Sequence, residues 1–517
     1  MATTTAKRKT AEINPLINAE ALRQALGEDS VAEHQSQLGQ FLSPLPIAEF
    51  MASLFPTIEG NVRLLDPGAG IGSLTAAFVE EACGRKRKPV SIDVSAYEVD
   101  PRMESGLNRT LSDCAKRCQG VGVRFTGTII IGDFIETMAT KATLQLFEEP
   151  MPAFTHVIMN PPYRKIRSNS ISRKLLSHSG IETSNLYTAF MALAVDAMKI
   201  GGHFVSITPR SFCNGPYFKS FRKAFLNAMH LDRLHLFESR RDAFSDDNVL
   251  QENIIVSATR SDERSRDRVA ISSSAKPCET PSSNRIVPYD AVVSPSDPDQ
   301  FIHLAMDDNA DAIAARIARM PASLPDIGIA VSTGRVVDFR VRKHLRAQKG
   351  PDSVPLIYPC NLCAGGINWP KEKTKKSQAI IDCEETAKQM VDAGIYVLVK
   401  RFSTKEEARR VVAAVFDSDS VGCERVGFEN HLNFFHTGGS SLGRNIAFGL
   451  GAYLNTSTVD GFFRQFNGHT QVNASDLRKL KYPTRDQLIS IGKKLLRNKK
   501  LDQADVDKIV ANEVGWD

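Results

Sequence analysis

The sequence predicts a doubly wound, Rossmann-like α/β domain followed by a C-terminal domain of mixed α+β character. Three observations carry that expectation. Apolar, strand-like runs alternate with helical stretches from Val62 to about Arg260. A glycine-rich turn follows the first of those runs directly, in "VRLLDPGAGIGSLTAAF". Residues 301–517 then show short strands, helices such as "TKEEARRVVAAVF" and basic clusters, without βα alternation.

At 517 residues the chain is long enough for two or three domains. The expected divisions are an N-terminal tail over 1–30, a catalytic domain over 31–260, a linker over 261–300 and a second domain over 301–517. The linker expectation rests on the Ser, Pro and Asp content of "SDERSRDRVAISSSAKPCETPSSNRIVPYDAVVSPSDPDQ". Hydrophobic residues at 42% and charged residues at 24% exclude a wholly disordered or collagen-like chain. No apolar run is long enough to span a membrane, and "MATTTAKRKTAEINPL" lacks the apolar centre of a secretory signal, so the cytoplasm is the expected compartment. Nine irregularly spaced cysteines fit reduced thiols better than a disulfide framework, and a net charge of +6 permits a polyanionic partner without requiring one.

Ligands of doubly wound sheets bind beyond the carboxyl ends of the strands, so the residue ending each run is the informative one. The first run ends in Asp66, Pro67, Gly68, Ala69, Gly70 and Gly72, a turn that lets backbone approach a ligand before a helix start. Nicotinamide, flavin and S-adenosylmethionine enzymes all use such a turn. The second run ends "AYEVD", putting Glu98 where an acid accepts from ribose hydroxyls. The third ends "IIIGDF", where Asp133 suits an adenine amino group and Phe134 an adenine face. The fourth ends in Asn160, Pro161, Pro162 and Tyr163, a carboxamide, two residues without N–H groups and a ring. Four successive strand ends therefore carry what one nucleoside-like cofactor and one substrate need.

The order "DPGAGIG", "EVD", "GDF", "NPPY" resembles the gamma-class N6-adenine DNA methyltransferases that use S-adenosylmethionine. Upstream, "QLGQFLSPLPIAEFMASLF" is similar to the segment that folds over the methionine end of the cofactor in that family. Downstream, "VSTGRVVDFR", "VGFENHLNFFH" and "RQFNGHTQVNASDLRKLKYP" resemble PstI/BsuBI-like modification methylases of type II restriction–modification systems. The resemblance implies base flipping in double-stranded DNA and protection of host DNA. It also implies a cognate restriction endonuclease that is a functional rather than a physical partner.

An exocyclic adenine nitrogen is a weak nucleophile because its lone pair is delocalised into the ring. The Asn160 carboxamide oxygen and the Pro161 carbonyl could accept its two N–H bonds and stabilise the positive charge that develops. The prolines restrict the backbone and add no competing donor. Tyr163 is the expected platform for the extruded base, with Phe244, by the resemblance, as a second face. Phe41 is a candidate neighbour for the sulfonium. Gln465, Asn467, His469, Thr470, Gln471 and Asn473 crowd polar side chains around a glycine and suit contacts to phosphates and base edges.

Other readings remain open at this point. Cytosine-N4 transfer uses the same amine activation, and "NPPY" also occurs in protein-glutamine and RNA amino-methyltransferases. A non-catalytic DNA-binding subunit would keep the fold but not the full strand-end set. Cytosine-C5 chemistry is excluded, since its cysteine nucleophile has no counterpart beside the fourth run. "CNLC", with Cys360 and Cys363, has metal-ligand spacing, but its continuation fits no common zinc module, and no metal is expected.

Overall fold

The computed structural model describes residues 13–28, 42–144, 153–237, 253–263, 268–274, 283–304, 308–363, 366–403, 407–466, 471–498 and 501–516. The chain divides into two compact units, Met1–Met306 and Asp307–Asp517.

The first unit is built on nine strands: β1 (Asn61–Pro67), β2 (Ser91–Glu98), β3 (Arg124–Ile131), β4 (Phe154–Met159), β5 (Met198–Pro209), β6 (Met229–Phe237), β7 (Asn253–Arg260), β8 (Arg268–Ser274) and β9 (Ser283–Pro288). They form one sheet in the order β3-β2-β1-β4-β5-β7-β6-β8-β9. The first five run parallel. β7 is antiparallel to both β5 and β6. The order reverses between β1 and β4, the switch point at which such sheets open a ligand crevice.

Successive residues of a strand face opposite sides of a sheet, and both sides are buried over β4 and the ends of β1 and β5, whereas the edge strand β3 is largely exposed. Leu65, Val157, Met159 and Phe204 join one core with Phe134 and Phe190. Leu64, Ile158 and Val205 join the other, beneath the helices Leu45–Ser53, Ser73–Gly84 and Glu104–Gly120. This explains why β4, "FTHVIM", reads as a continuous apolar run and is buried at every position.

Three expectations are corrected. The stretch "TKEEARRVVAAVF", expected as a helix, ends in the strand Ala413–Asp417 of the second unit, where Ala413, Ala414 and Phe416 are buried. Part of the supposed N-terminal tail is the helix Pro15–Glu28, whose Leu16 and Ala19 lie in the second core. It begins on Asn14, whose Oδ1 accepts from the N–H groups of Leu16 and Ile17 at 3.0 Å each. The supposed linker contributes β8, parallel to β6, and β9, antiparallel to β8. Its serines disguised it, because Ser272, Ser273 and Ser274 are buried within β8. Ser272 and Ser274 are satisfied by the buried His235, with Oγ atoms 2.9 Å from Nδ1 and 3.1 Å from Nε2.

The second unit has a four-stranded antiparallel sheet in the order Ala330–Thr333, Leu432–His436, Ile395–Lys400, Ala413–Asp417. A five-stranded mixed sheet accompanies it. The helices Arg444–Leu454 and Arg485–Arg497 meet backbone to backbone. A Cβ on Gly449 would lie 1.9 Å from the Leu488 carbonyl oxygen, and one on Gly492 would lie 1.8 Å from that of Asn445. No helix among the described residues is long and apolar enough to cross a membrane.

Candidate active site

At the end of β1, Asp66 is fully buried. Thr75, from the following helix, donates its hydroxyl to Asp66 Oδ2 at 2.7 Å, while Oδ1 has no hydrogen-bond partner. Burial pushes the Asp66 carboxyl up to about 7; the Thr75 bond opposes that shift and the Glu98 charge adds to it.

The turn after Pro67 needs its glycines. Gly68, Gly70 and Gly72 sit at φ of +80°, +57° and +85°, in the left-handed region. A Cβ at Gly70 would also stand 2.5 Å from Leu42 Cδ2. The Gly68 and Ala69 N–H groups donate to the Tyr97 carbonyl at 2.9 and 2.8 Å, which fixes the turn to the end of β2. Glu98 completes that link: Oε2 accepts from the Gly70 N–H and Oε1 from the Asp100 N–H, both at 2.7 Å.

Beyond β3, Asp133 caps the next helix, with Oδ1 accepting from Ile135 and Glu136 N–H groups at 2.8 and 3.1 Å. Phe134 is buried and stands edge-on to Tyr97, ring centroids 5.0 Å apart. Phe190 lies 4.9 Å away on its other side.

Beyond β4, the Asn160 amide is held from two directions. Nδ2 donates to the Ser43 hydroxyl at 3.1 Å, and Oδ1 accepts the Tyr163 hydroxyl at 2.9 Å. That phenol also approaches the Ile207 carbonyl at 3.3 Å, and burial pushes its pKa well above the usual phenol range. The hydroxyl of the expected stacking residue is thus turned inward.

These strand ends border one pocket, lined by Gly68, Gly70, Glu98, Phe134, Asn160 and Pro162 among the expected residues. Leu42, Tyr97, Val99, Met103, Gly132 and Phe190 complete the lining. Its mainly apolar walls with few polar groups are those of a small-molecule site. Sequence reasoning missed Ser43, Thr75, Tyr97, Val99 and Phe190. Tyr97 and Val99 flank Glu98, and Val99 is 45% exposed, an apolar residue left at a strand end for a ligand to cover. Phe190 lies in a helix whose pattern is indistinguishable from core packing.

Asp66, Pro67, Ala69, Gly72, Asp133, Pro161 and Tyr163 surround this pocket in the chain without lining it. Phe41 and Phe244 lie outside the described residues, as do Asn467, His469 and Thr470. In the second unit, Gln465 is on the helix Ser457–Phe466 and Gln471 bridges to Phe402. Asn473, expected as a DNA contact, is the N-cap of the helix Ala474–Lys479, where its N–H donates to Asp476 Oδ2 at 2.9 Å and its Nδ2 lies 3.4 Å from the same oxygen.

Comparison with known proteins adds four findings. A family model described as Eco57I restriction-modification methylase matches residues 132–244. The chain is 43% identical over 494 residues to the type II methyltransferase M.PstI of Providencia stuartii, covering 96% of each. It is 43% identical over 488 residues to the type II methyltransferase M.BsuBI of Bacillus subtilis, covering 92% of this chain and 93% of that one. Among solved structures, a nuclease-deletion mutant of the type ISP restriction-modification enzyme LlaGI, in complex with a DNA substrate mimic, aligns with TM-score 0.50 at 12% identity, over 92% of this chain and 56% of that one.

Proposed function

Because the chain belongs to the type II methyltransferases of restriction–modification systems, we propose that it transfers a methyl group from S-adenosylmethionine to N6 of adenine within a specific duplex DNA sequence. The observation that carries this reading is the Asn160 carboxamide on the wall of the glycine-turn pocket, oriented by Ser43 and Tyr163.

The pocket's residues fit the cofactor. Backbone without side chains at Gly68 and Gly70 leaves room for close approach, and Glu98 offers acceptors for the ribose hydroxyls. Val99 and Phe134 would cover the adenine, and Asp133, next to Phe134 at the end of β3, is the proposed acceptor for its amino group. The aromatic rings of Tyr97 and Phe190 in the lining suit a cationic sulfur. When bound, S-adenosylmethionine supplies an electrophilic methyl group.

The chain's own part is to hold and polarise the acceptor. Asn160 Oδ1, which also accepts the Tyr163 hydroxyl, would receive one adenine N6–H while the Pro161 carbonyl receives the second. Drawing both protons into hydrogen bonds localises the nitrogen lone pair and stabilises its growing positive charge. Ser43 sets the amide orientation by accepting from Nδ2, so that oxygen and not nitrogen faces the amine. Holding amine and methyl donor in line is worth several kcal/mol of barrier. The second unit would recognise the DNA sequence, and the activity would protect host DNA from a cognate endonuclease.

The test is nucleoside analysis of duplex DNA from a methylation-free host after incubation with protein and cofactor. N6-methyldeoxyadenosine is expected; N4-methyldeoxycytidine would move the reading to cytosine. Asn160→Ala should abolish product while cofactor binding, measured by calorimetry, stays within about threefold of the parent. Equal loss of both would remove Asn160 from the catalytic role.

A further inference from the structure

At one end of the four-stranded sheet of the second unit, four loops far apart in sequence converge. The strand Ala330–Thr333 leaves there into Gly334 and Arg335, and Leu432–His436 enters from Glu429, Asn430 and His431. Ile395–Lys400 leaves into Arg401 and Phe402. The hydrogen bonds run continuously across them. Gly334 N–H donates to the Leu432 carbonyl at 2.8 Å, Arg401 N–H to that of His431 at 2.8 Å, and Val472 N–H to that of Arg401 at 2.7 Å.

The side chains at this end combine exposed cation and exposed ring. Phe402 is 39% exposed, with the Arg401 guanidinium 5.8 Å from its ring centroid and the His431 ring 4.9 Å away. Arg335 is exposed. The acid beneath them is already spent: Glu429 is fully buried, its Oε2 accepts the His431 N–H at 2.9 Å, and its Oε1 lies 2.5 Å from His431 Nδ1. The carboxylate fixes the imidazole and leaves Nε2 as the ring's remaining polar atom. The sheet end thus presents the exposed Arg335, whose guanidinium lies 5.9 Å from the Phe434 ring, the half-buried Arg401, whose Nη1 donates to the Asn430 carbonyl at 3.2 Å, and the exposed Phe402 ring.

We propose that this end of the sheet is a duplex-DNA contact surface, with Arg335 and Arg401 on phosphate oxygens and Phe402, backed by His431, as an apolar wedge at a base step. The proposal rests on the function given above and assigns its recognition chemistry to residues that the sequence pattern did not single out. The occupant is argued from charge complementarity: planar guanidinium groups match phosphate oxygens, while an exposed phenylalanine flanked by cations suits a base step within a polyanion. Gln471, opposite Phe402 in an isolated antiparallel bridge, joins the polar segment identified from sequence to the same edge.

The test measures equilibrium binding of the full-length protein to linear plasmid duplex from a methylation-free host, across salt concentrations, alongside methyl transfer to the same DNA. Arg335→Gln should reduce the slope of log affinity against log salt by about one. Phe402→Ala should lower affinity about tenfold with the slope unchanged. Lys508→Gln, on the exposed C-terminal helix, should alter neither. Melting curves matching the parent's would verify that both variants fold, and Arg401→Lys, which keeps the charge, provides a milder second probe of the same loop. Parental affinity and slope in Arg335→Gln and Phe402→Ala, with methyl transfer intact in the parent, would overturn the inference and leave the functional reading standing. A parent that binds duplex through these residues yet transfers no methyl group would do the reverse. A parent that binds no duplex would overturn it as well.

Discussion

Asn160 depends on a neighbour that contributes nothing to the strand-end pattern. Ser43 is buried and accepts from the amide nitrogen, so removing its oxygen frees the carboxamide to turn its donor toward the substrate amine. Ser43→Ala is expected to lower kcat about tenfold, equivalent to about 1.4 kcal/mol, with little change in the KM for cofactor. Ser43→Thr should restore most of the rate, and loss of rate in both variants would mark a packing role instead. Asp66 gives a pH signature. Its folded pKa of about 7 lies above the ordinary 3.8, so the folded chain holds a proton that the unfolded chain releases. Its stability contribution is complete below about pH 4 and is lost as pH rises toward 7 and beyond. Melting of the cofactor-free protein over that window should therefore slope downward less in Asp66→Asn, provided the variant keeps the parental fold.

At the scale of elements, the parallel strands were legible because their period and their ends agree. β1, β2 and β4 each join a largely buried run, and the edge strand β3 a largely exposed one, to a residue with chemistry, and the register carries those ends to one line of the sheet. β8 was not legible, since its serines look like solvent-facing polarity until His235 is seen to occupy their hydroxyls. The Asn473 cap was hidden for a related reason: an asparagine suited to a base edge is equally suited to a helix start, and only Asp476, three residues on, marks the latter. The glycines of the helix pair Arg444–Leu454 and Arg485–Arg497 were silent as well, because close approach of two helices leaves no periodic trace. Gly449→Ala and Gly492→Ala should each destabilise the second unit by about 3 kcal/mol, read from its denaturant midpoint, since backbone lies where the methyl group would go. An unchanged midpoint would mean that the two helices can part without loss.

The whole molecule contains two units with separate cores, the first divided over both faces of the nine-stranded sheet and the second made of one cluster around its packed helices and two smaller ones among its strands. Calorimetry should therefore show two transitions, and cofactor at about a hundred times its Kd should raise the stability of only one of them, by about 2.7 kcal/mol. Equal displacement of both would require the pocket to draw on each unit. The division into a strand-end enzyme and a second domain was readable from periodicity, but the extent of each unit was not. The helix Pro15–Glu28 and the strands β8 and β9 enlarge the first unit through contacts distant in sequence, such as Asn18 to Asp113 at 2.9 Å.

Gly334 lies so close to its neighbouring turn that a Cβ there would sit 2.2 Å from the Glu429 carbonyl oxygen, and the buried Glu429 side chain ties down the same turn. Neither fastening uses the outward side chains of Arg335 or Phe402. Those two positions can consequently be diversified while the scaffold beneath them stays put, and a library restricted to them would explore new sequence preferences without the unfolded members that loop randomisation usually produces.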